Sequence, residues 1–284
     1  MDLIAVTGST GAVGGRVAAR LAAAGVPQRL VVRDPARAPG LPGASVATAS
    51  YGDRAALLEA LAGVHTLLLV SASEDADRVT LHTATVDAAV EAGVQRIVYT
   101  SFLGASPEAT FTFARDHWHT EQHIRAAGVA FTFLRDSMYL DFLPVFAGED
   151  GVIRGPAGDG RVGAVARDDI ADVAAAALLS GGAHDGATYD LTGPESLTLT
   201  EVAAIITEVT GRSVRYEAET LDEAYASRAG YGAPDWEVAG WVTSYAAIAT
   251  GELDVVTSTV QDVTGHPPIG LREFLTAPSA GHDR

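Results

Sequence analysis

Short apolar runs alternate with stretches of helical periodicity through the first half of the chain. Six runs read as strands: Leu3–Thr7, Arg29–Arg33, Ser45–Thr48, Thr66–Val70, Arg96–Thr100 and Ala130–Leu134. Each is continuous rather than alternating, the pattern expected where both faces of a strand are covered. Between them, Val13, Val17 and Leu21 recur every four residues. Leu57, Leu58 and Leu61 follow Asp53, and Val79, Val86 and Val90 occupy related turns of the next helix. Gly25, Gly63, Gly93 and Gly128 each close a helical stretch ahead of a strand, where a left-handed cap is wanted. This β–α–β–α order predicts an α/β fold with a parallel, doubly wound sheet.

After Arg135 the pattern loosens. A helix is expected from about Asp169 to Leu179, and another from Thr200 to Thr210 with Thr198 or Thr200 near its N-cap and Gly211 closing it. Leu221–Ala229 and Pro234–Ala249 are further helical candidates, rich in Tyr and Trp, and the tail from Pro278 is expected to fray. A chain of 284 residues is near the size at which one core begins to split. The expected division is a nucleotide-binding domain over 1–150 and a smaller, mainly helical α/β substrate region over 151–284, with the chain crossing between them.

Composition narrows the function. Hydrophobic residues make up 48% of the chain, which excludes general disorder. The net charge of −17 comes from 36 acidic and 19 basic residues, which argues against nucleic acid and anionic membranes as partners. There is no cysteine, so disulfides, thiolate nucleophiles and Cys-based metal sites are excluded. No basic, apolar leader opens the chain and no apolar run would span a bilayer, so the cytoplasm is the default location.

The glycine-rich segment Thr7-Gly8-Ser9-Thr10-Gly11-Ala12-Val13-Gly14 follows the first strand and opens the first helix. In this context a tight turn, backbone N–H groups open to a pyrophosphate and close helix–strand packing all call for glycine, as in a Rossmann-type dinucleotide site. The spacing is G-x-x-G-x-x-G. At the end of the second strand, Arg33 would accommodate a 2′-phosphate and Asp34 could instead meet a ribose hydroxyl or cap a turn before Pro35. Arg33 favours NADP(H), with NAD(H) still open. Asp53, after the third strand, could accept from an adenine amino group or cap the next helix.

All 19 basic residues are arginine. Without lysine, the Tyr-x-x-x-Lys pair of conventional short-chain dehydrogenases cannot form, nor can a lysine Schiff base or a Walker phosphate loop. The chain is therefore an atypical reductase needing little acid catalysis, or a dinucleotide-binding protein without chemistry.

Several segments carry a family resemblance: Val6–Gly11, Val32–Ala36, Tyr51–Asp53, Leu68–Ser73, Tyr99–Ser101, His117, Thr120–Glu121, Leu134–Arg135 with Tyr139, Gly155–Gly160 and Gly265–Pro267. Over nearly its whole length the chain resembles the NmrA-like branch of atypical short-chain dehydrogenases, and within it the bacterial type 2 NAD(P)H:quinone oxidoreductases. The resemblance implies that Gly8–Val13 hold the pyrophosphate and Arg33 the 2′-phosphate. It also implies that Ser71, Ser73 and Ser101 lie along the cofactor. Asp136–Asp141, including Ser137 and Met138, would line the nicotinamide and substrate side, with Arg167 near. Relatives commonly carry asparagine at the position of Asp136 and another soon after the tyrosine, where this chain has Leu140 and Asp141.

The expected chemistry is hydride transfer to a quinone or similar conjugated acceptor, with no metal and no flavin. Such a step requires ring alignment and a hydrogen-bond donor to the developing oxyanion. The donor candidates are Tyr139, which could equally be core, and His117, which reads somewhat better as a polar residue at a helix start. His119 and His123, four apart, would share a helix face, but no third metal ligand accompanies them. Tyr225, Tyr231, Trp236 and Trp241 either wall an aromatic-substrate pocket or fill a small core. The expected partner is a small quinone-like or aromatic molecule. A homodimer stays open, and a regulatory protein partner belongs only to the alternative of a non-catalytic NADP sensor.

Overall fold

The computed structural model describes residues 2–277; the tail expected to fray from Pro278 lies outside them. In chain order the elements are β1 (Ile4–Thr7), α1 (Ala12–Ala23), β2 (Gln28–Val32), β3 (Ala44–Thr48), α2 (Arg54–Leu61), β4 (Thr66–Leu69), α3 (Arg78–Glu91), β5 (Arg96–Phe102), α4 (Thr112–Ala126) and β6 (Ala130–Asp136). Then follow β7 (Val152–Gly155), β8 (Arg161–Val162), α5 (Arg167–Leu179), β9 (Thr188–Leu191), β10 (Leu197–Thr198), α6 (Leu199–Thr210), β11 (Arg215–Ala218), α7 (Leu221–Arg228), α8 (Asp235–Ala249), α9 (Thr259–Thr264) and α10 (Leu271–Thr276).

Seven strands form the main sheet in the order β3-β2-β1-β4-β5-β6-β9. The pairings from β3 through β5 are parallel. The order reverses between β1 and β4, which makes their C-terminal ends the topological switch point where such sheets bind ligands. β1 and β4 are buried at every residue, as their unbroken apolar runs require. β3 departs from that expectation: it is the edge strand, and Val46 stays 47% exposed. The strand β9 was not foreseen, because Thr188–Leu191 is polar at the edge and carries no continuous apolar run.

Two compact units emerge. Among the described residues, one comprises 2–102 with 116–135 and 170–189; the other comprises 103–115, 136–169 and 190–277. A single cut at 150 therefore misplaces 103–115 and 136–150 on one side and 170–189 on the other. The reason is physical: α5 and the start of β9 return to complete the first unit, and the loop after β5 leaves it.

The first unit is held by a core including Ala5, Leu57, Leu61, Leu67, Leu69, Val86, Ile97, Tyr99, Ile124 and Phe133. Full burial of each large side chain contributes roughly 1.5–3 kcal/mol. Helix α1 places Val13, Val17 and Leu21 inward as the fourfold spacing predicts. Helix α3 is turned otherwise: His82, Thr85, Val86 and Ala89 face in, and Val90 is exposed. Its inward polar groups belong to a hydrogen-bonded network described below. In the second unit, β7 pairs with β11 in parallel and β8 with β10 antiparallel. Thr198, not Thr200, caps α6, in a reciprocal capping box with Glu201.

Candidate functional site: a dinucleotide loop and an aromatic acceptor cluster

In the first unit, the switch point is occupied by the glycine loop. Gly8 turns with φ +61°, and a Cβ there would stand 2.9 Å from Val70 Cβ. A side chain at Gly14 would meet Gly8 O at 2.4 Å and Thr7 O at 2.8 Å, so strand and helix touch at that residue. Helix α1 starts with no side-chain cap and no acid in its first turn. Its first N–H groups therefore need an external acceptor, and the helix dipole favours an anion there. Ser9 Oγ is buried with no hydrogen-bond partner among the described residues, whereas Thr10 and Gly11 are exposed on the rim. This arrangement fits a dinucleotide pyrophosphate: Gly8, Ser9, Thr10, Gly11, Ala12, Val13 and Gly14 form a cradle with an orphaned hydroxyl and uncapped donors.

The floor of the cradle is fastened across strands. Thr7 Oγ1 donates to Leu68 O (3.1 Å) and accepts from Val70 N–H (2.9 Å). The Tyr51 hydroxyl bonds Thr7 Oγ1 at 2.7 Å and also the carbonyl of Val70. Burial pushes the Tyr51 phenol up to about 12, so it stays protonated, against smaller opposing effects of Thr7 and the Arg33 charge. Tyr51 was visible in the Tyr51-Gly52-Asp53 segment, but nothing in the sequence showed that it clasps β1 to β4. Ser71 N–H donates to Thr100 Oγ1 (2.8 Å), which fixes the next strand end, and Ser71 is half-buried while Ser73 is exposed.

Arg33 is exposed immediately after β2, and Asp34 caps the short turn Pro35–Arg37 by accepting from Ala36 N–H. Of the two readings of Asp53, capping is the one realised: its carboxylate accepts from Ala56 N–H (3.0 Å) at the start of α2. Ser101 also differs from expectation. Its hydroxyl donates to the buried Glu121 (2.6 Å), which Arg135 grips through two nitrogens at 2.8 and 2.7 Å. The side chain is thus turned into a structural cluster joining β5, α4 and β6, where it holds those elements rather than a cofactor.

His117 is corrected on similar grounds. It is 5% exposed, and both ring nitrogens are engaged. Arg78 donates to Nε2 (3.0 Å), which places the proton on Nδ1, facing the Tyr99 hydroxyl at 2.8 Å. Burial, helped by Arg78, holds the imidazole well below its usual value and therefore neutral. Neighbouring His82 is pulled down to about 3 by burial and then by Arg78. Ala72 N–H donates to its Nε2 (2.8 Å), and Arg78 Nε donates to Ala72 O (3.0 Å). This network pins the segment after β4 beside the cradle. It gives His117 a positioning role and leaves no ring nitrogen for a substrate. The pair His119 and His123 does not gather a metal set among the described residues; His123 Nε2 instead meets Asp87 (2.7 Å).

In the second unit, β6 ends at Asp136 and the next turn carries Ser137, Met138, Tyr139 and Asp141. Main-chain bonds from Val165 N–H to Met138 O and from Leu140 N–H to Val165 O (both 2.9 Å) bring Arg167 alongside this turn. Arg167 donates to Asp141 (3.1 Å), and its guanidinium lies 4.9 Å from the ring centres of both Tyr139 and Phe142. Tyr139 Oη is 3.2 Å from Asp136 Oδ2. Asp136 Oδ1, Ser137 Oγ, Asp141 Oδ2 and Arg167 Nε are buried and lack a hydrogen-bond partner among the described residues. Buried polar atoms left without a partner call for a water, an ion, a ligand or stored strain to account for them. Met138 is buried, and its carbonyl accepts from Val165 N–H.

Aromatic rings continue from this turn: Tyr139 stacks on Phe142 (5.7 Å), Phe142 on Phe146 (6.4 Å), and Phe146 meets Tyr245 (5.2 Å). Phe146 and Tyr245 line a cavity of about 390 Å³ together with Tyr231, Trp241, Arg154 and Arg228. That volume suits a small aromatic molecule. Of the four aromatic residues singled out from sequence, Tyr231 and Trp241 face this cavity. Trp236 instead packs on Phe113 (6.0 Å), and Tyr225 is exposed. No helix of the described residues is long and apolar enough to cross a membrane.

Comparison with known proteins agrees with this fold. The NmrA-like family model matches residues 1–231. Quinone oxidoreductase 2 of Escherichia coli is 36% identical over 281 residues, covering 96% of this chain and 98% of that protein. An NAD(P)H azoreductase of Xenophilus azovorans is 34% identical over 283 residues, covering 98% of each. The crystal structure of the Escherichia coli NADPH-dependent quinone oxidoreductase complexed with NADPH superposes with a TM-score of 0.88 at 35% identity, over 96% of this chain and 98% of that one. With its glycine loop at the switch point of a β3-β2-β1-β4-β5-β6-β9 sheet, the chain belongs to the NmrA-like family.

Proposed function

We propose that the chain is an NADP(H)-dependent reductase of quinones or similar conjugated acceptors. The reading is carried by one conjunction: an uncapped glycine-loop helix at the switch point, on a chain that also builds the orphan-rich turn around Tyr139 and Arg167. The naming of near-full-length relatives as a quinone oxidoreductase and an azoreductase supports it. Gly8–Gly14 and the Ser9 hydroxyl would hold the pyrophosphate. The exposed Arg33 would take the 2′-phosphate, which makes NADP(H) the preferred form over NAD(H). When bound, the dinucleotide supplies a hydride from its nicotinamide ring.

The protein's own share is orientation and charge stabilisation. The Tyr139 hydroxyl donates to the acceptor oxygen on which negative charge develops. Arg167, stacked on Tyr139 and Phe142 and tied to Asp141, fixes the tyrosine ring. The aromatic surfaces of Phe142, Phe146 and Tyr245 offer faces for a flat acceptor. No lysine is needed, because the acceptor is already electron-poor. The test is consumption of NADPH, followed by its near-ultraviolet absorbance, with benzoquinones, naphthoquinones and azo dyes. Turnover with at least one quinone is expected; absence of turnover with all of them overturns the reading.

A further inference from the structure

We propose that Asp136 is a proton-bearing carboxyl group standing behind Tyr139, which turns the tyrosine hydroxyl toward the acceptor and renews its proton; this rests on the reductase reading above. Asp136 is 1% exposed and ends β6 with its main chain held by Leu103 N–H (2.9 Å). Oδ2 lies 3.2 Å from Tyr139 Oη, and Oδ1 is buried with no partner among the described residues. Among the described residues no cation forms an ion pair with it, and Arg167 pairs with Asp141. A carboxylate in this place would keep a full charge in a low-dielectric site with a single hydrogen bond, and protonation removes that cost. Burial accordingly drives the carboxyl well above the usual carboxylate range, against the smaller effect of the Tyr139 hydrogen bond.

The protonation state decides what Tyr139 can do. An ionised Asp136 would accept the phenolic proton and hold it away from a substrate. A neutral Asp136 donates its own O–H to Tyr139 Oη, which turns the phenolic O–H away from Asp136. Asp136 is closed off while Tyr139 is half-buried, so the proton leaves through the tyrosine. The step balances. A quinone that gains a hydride from the nicotinamide becomes a hydroquinone monoanion. The Tyr139 O–H bond breaks and its proton goes to that oxyanion. The Asp136 O–H bond breaks in turn and its proton passes to the phenolate oxygen. The resulting carboxylate regains a proton from water before the next cycle. Asp136 acts through Tyr139 and is thus a positioning and proton-supplying residue.

Asp136→Asn keeps the shape and an N–H donor but has no transferable proton. The experiment compares wild type, Asp136→Asn, Tyr139→Phe and the double variant by NADPH fluorescence titration and quinone turnover. Infrared spectra of wild type minus Asp136→Asn, at neutral pH without cofactor, accompany it. The expected result is unchanged NADPH affinity and KM within a few-fold, with kcat lowered by at least about tenfold. The double variant is expected to be no slower than Tyr139→Phe, and the infrared difference to contain the carbonyl stretch of a protonated acid. Equal kcat for Asp136→Asn and wild type overturns the role while leaving the reductase reading intact. If Asp136→Asn does not fold, the infrared bands of wild type with isotope-labelled aspartate decide, and purely ionised carboxylate bands overturn the proposal. If wild type itself oxidises no NADPH with any quinone, the reductase reading fails and takes this role with it.

Discussion

Replacing Gly14 by alanine tests the cradle at its tightest point. The added methyl would stand 2.4 Å from Gly8 O, 2.6 Å from Gly8 C and 2.8 Å from Thr7 O, all main-chain atoms with no rotamer to relieve them. Strand end and helix start must therefore separate by about 1 Å, and overpacking of this kind costs about 1–3 kcal/mol. The better helix propensity of alanine returns about 1 kcal/mol. Net loss of stability is thus about 0–2 kcal/mol, a fall in Tm of a few degrees. The effect on binding is larger, because the same displacement moves the turn Gly8–Gly11, which is proposed to hold the pyrophosphate. Loss of one or two charge-assisted hydrogen bonds at about 1.5–3 kcal/mol each raises the NADPH Kd by roughly ten- to ten-thousandfold. Gly25→Ala is the control. It strains a residue at φ +69° with nothing within 4 Å, so it lowers Tm comparably but leaves Kd alone. Fluorescence titration with NADPH and thermal melts of both variants make the comparison. A folded Gly14→Ala protein that binds NADPH as wild type does would refute the reasoning.

Three further outcomes follow from the same structure. Arg33→Ala should weaken NADPH by about ten- to a hundredfold while leaving NADH affinity nearly unchanged, because only the 2′-phosphate contact is lost; an unchanged ratio in parallel titrations removes Arg33 from the site. Glu121→Ala leaves Arg135 and the Ser101 hydroxyl without their buried partner and should cost about 3–5 kcal/mol, read as a drop of roughly 10 °C in Tm. Stability should also fall in mild acid. His82 is neutral in the fold, with its value pulled down from 6.5 to about 3, so below pH 6.5 the unfolded chain binds a proton that the folded chain refuses. Its contribution is complete above pH 6.5 and is lost as pH drops toward 3, about 2 kcal/mol by pH 5. Urea melts of wild type and His82→Asn should converge in that window.

The sheet and the cradle were legible from the chain because both rest on local pattern. Continuous apolar runs marked β1, β4 and β5, and the glycines at 8, 11 and 14 sat between a strand and an amphipathic helix. The capping glycines at 25, 63, 93 and 128 all take positive φ, as their positions demanded. What stayed hidden depends on residues that meet only after folding. Ser101, Glu121 and Arg135 come from three elements, and a serine at a strand end looks the same whether it faces a cofactor or a buried carboxylate. His117 sits in a histidine-rich run that suggests exposed chemistry, yet Arg78 from α3 and Tyr99 from β5 take both its nitrogens. The division into units was misjudged for a related reason: the chain recrosses at 103–115 and 170–189 without any linker-like composition to show it. Asp136 stood out in the sequence only as an acid where relatives commonly carry asparagine, and its burial beside Tyr139 appears only in the fold.

Calorimetric titration of the purified, cofactor-free chain with NADPH and with NADH tests the account at its foundation. One saturable NADPH site per chain is predicted, tighter than for NADH and weakened by Gly14→Ala. A folded protein that takes up neither nucleotide would contradict the cradle, and with it every role assigned around it.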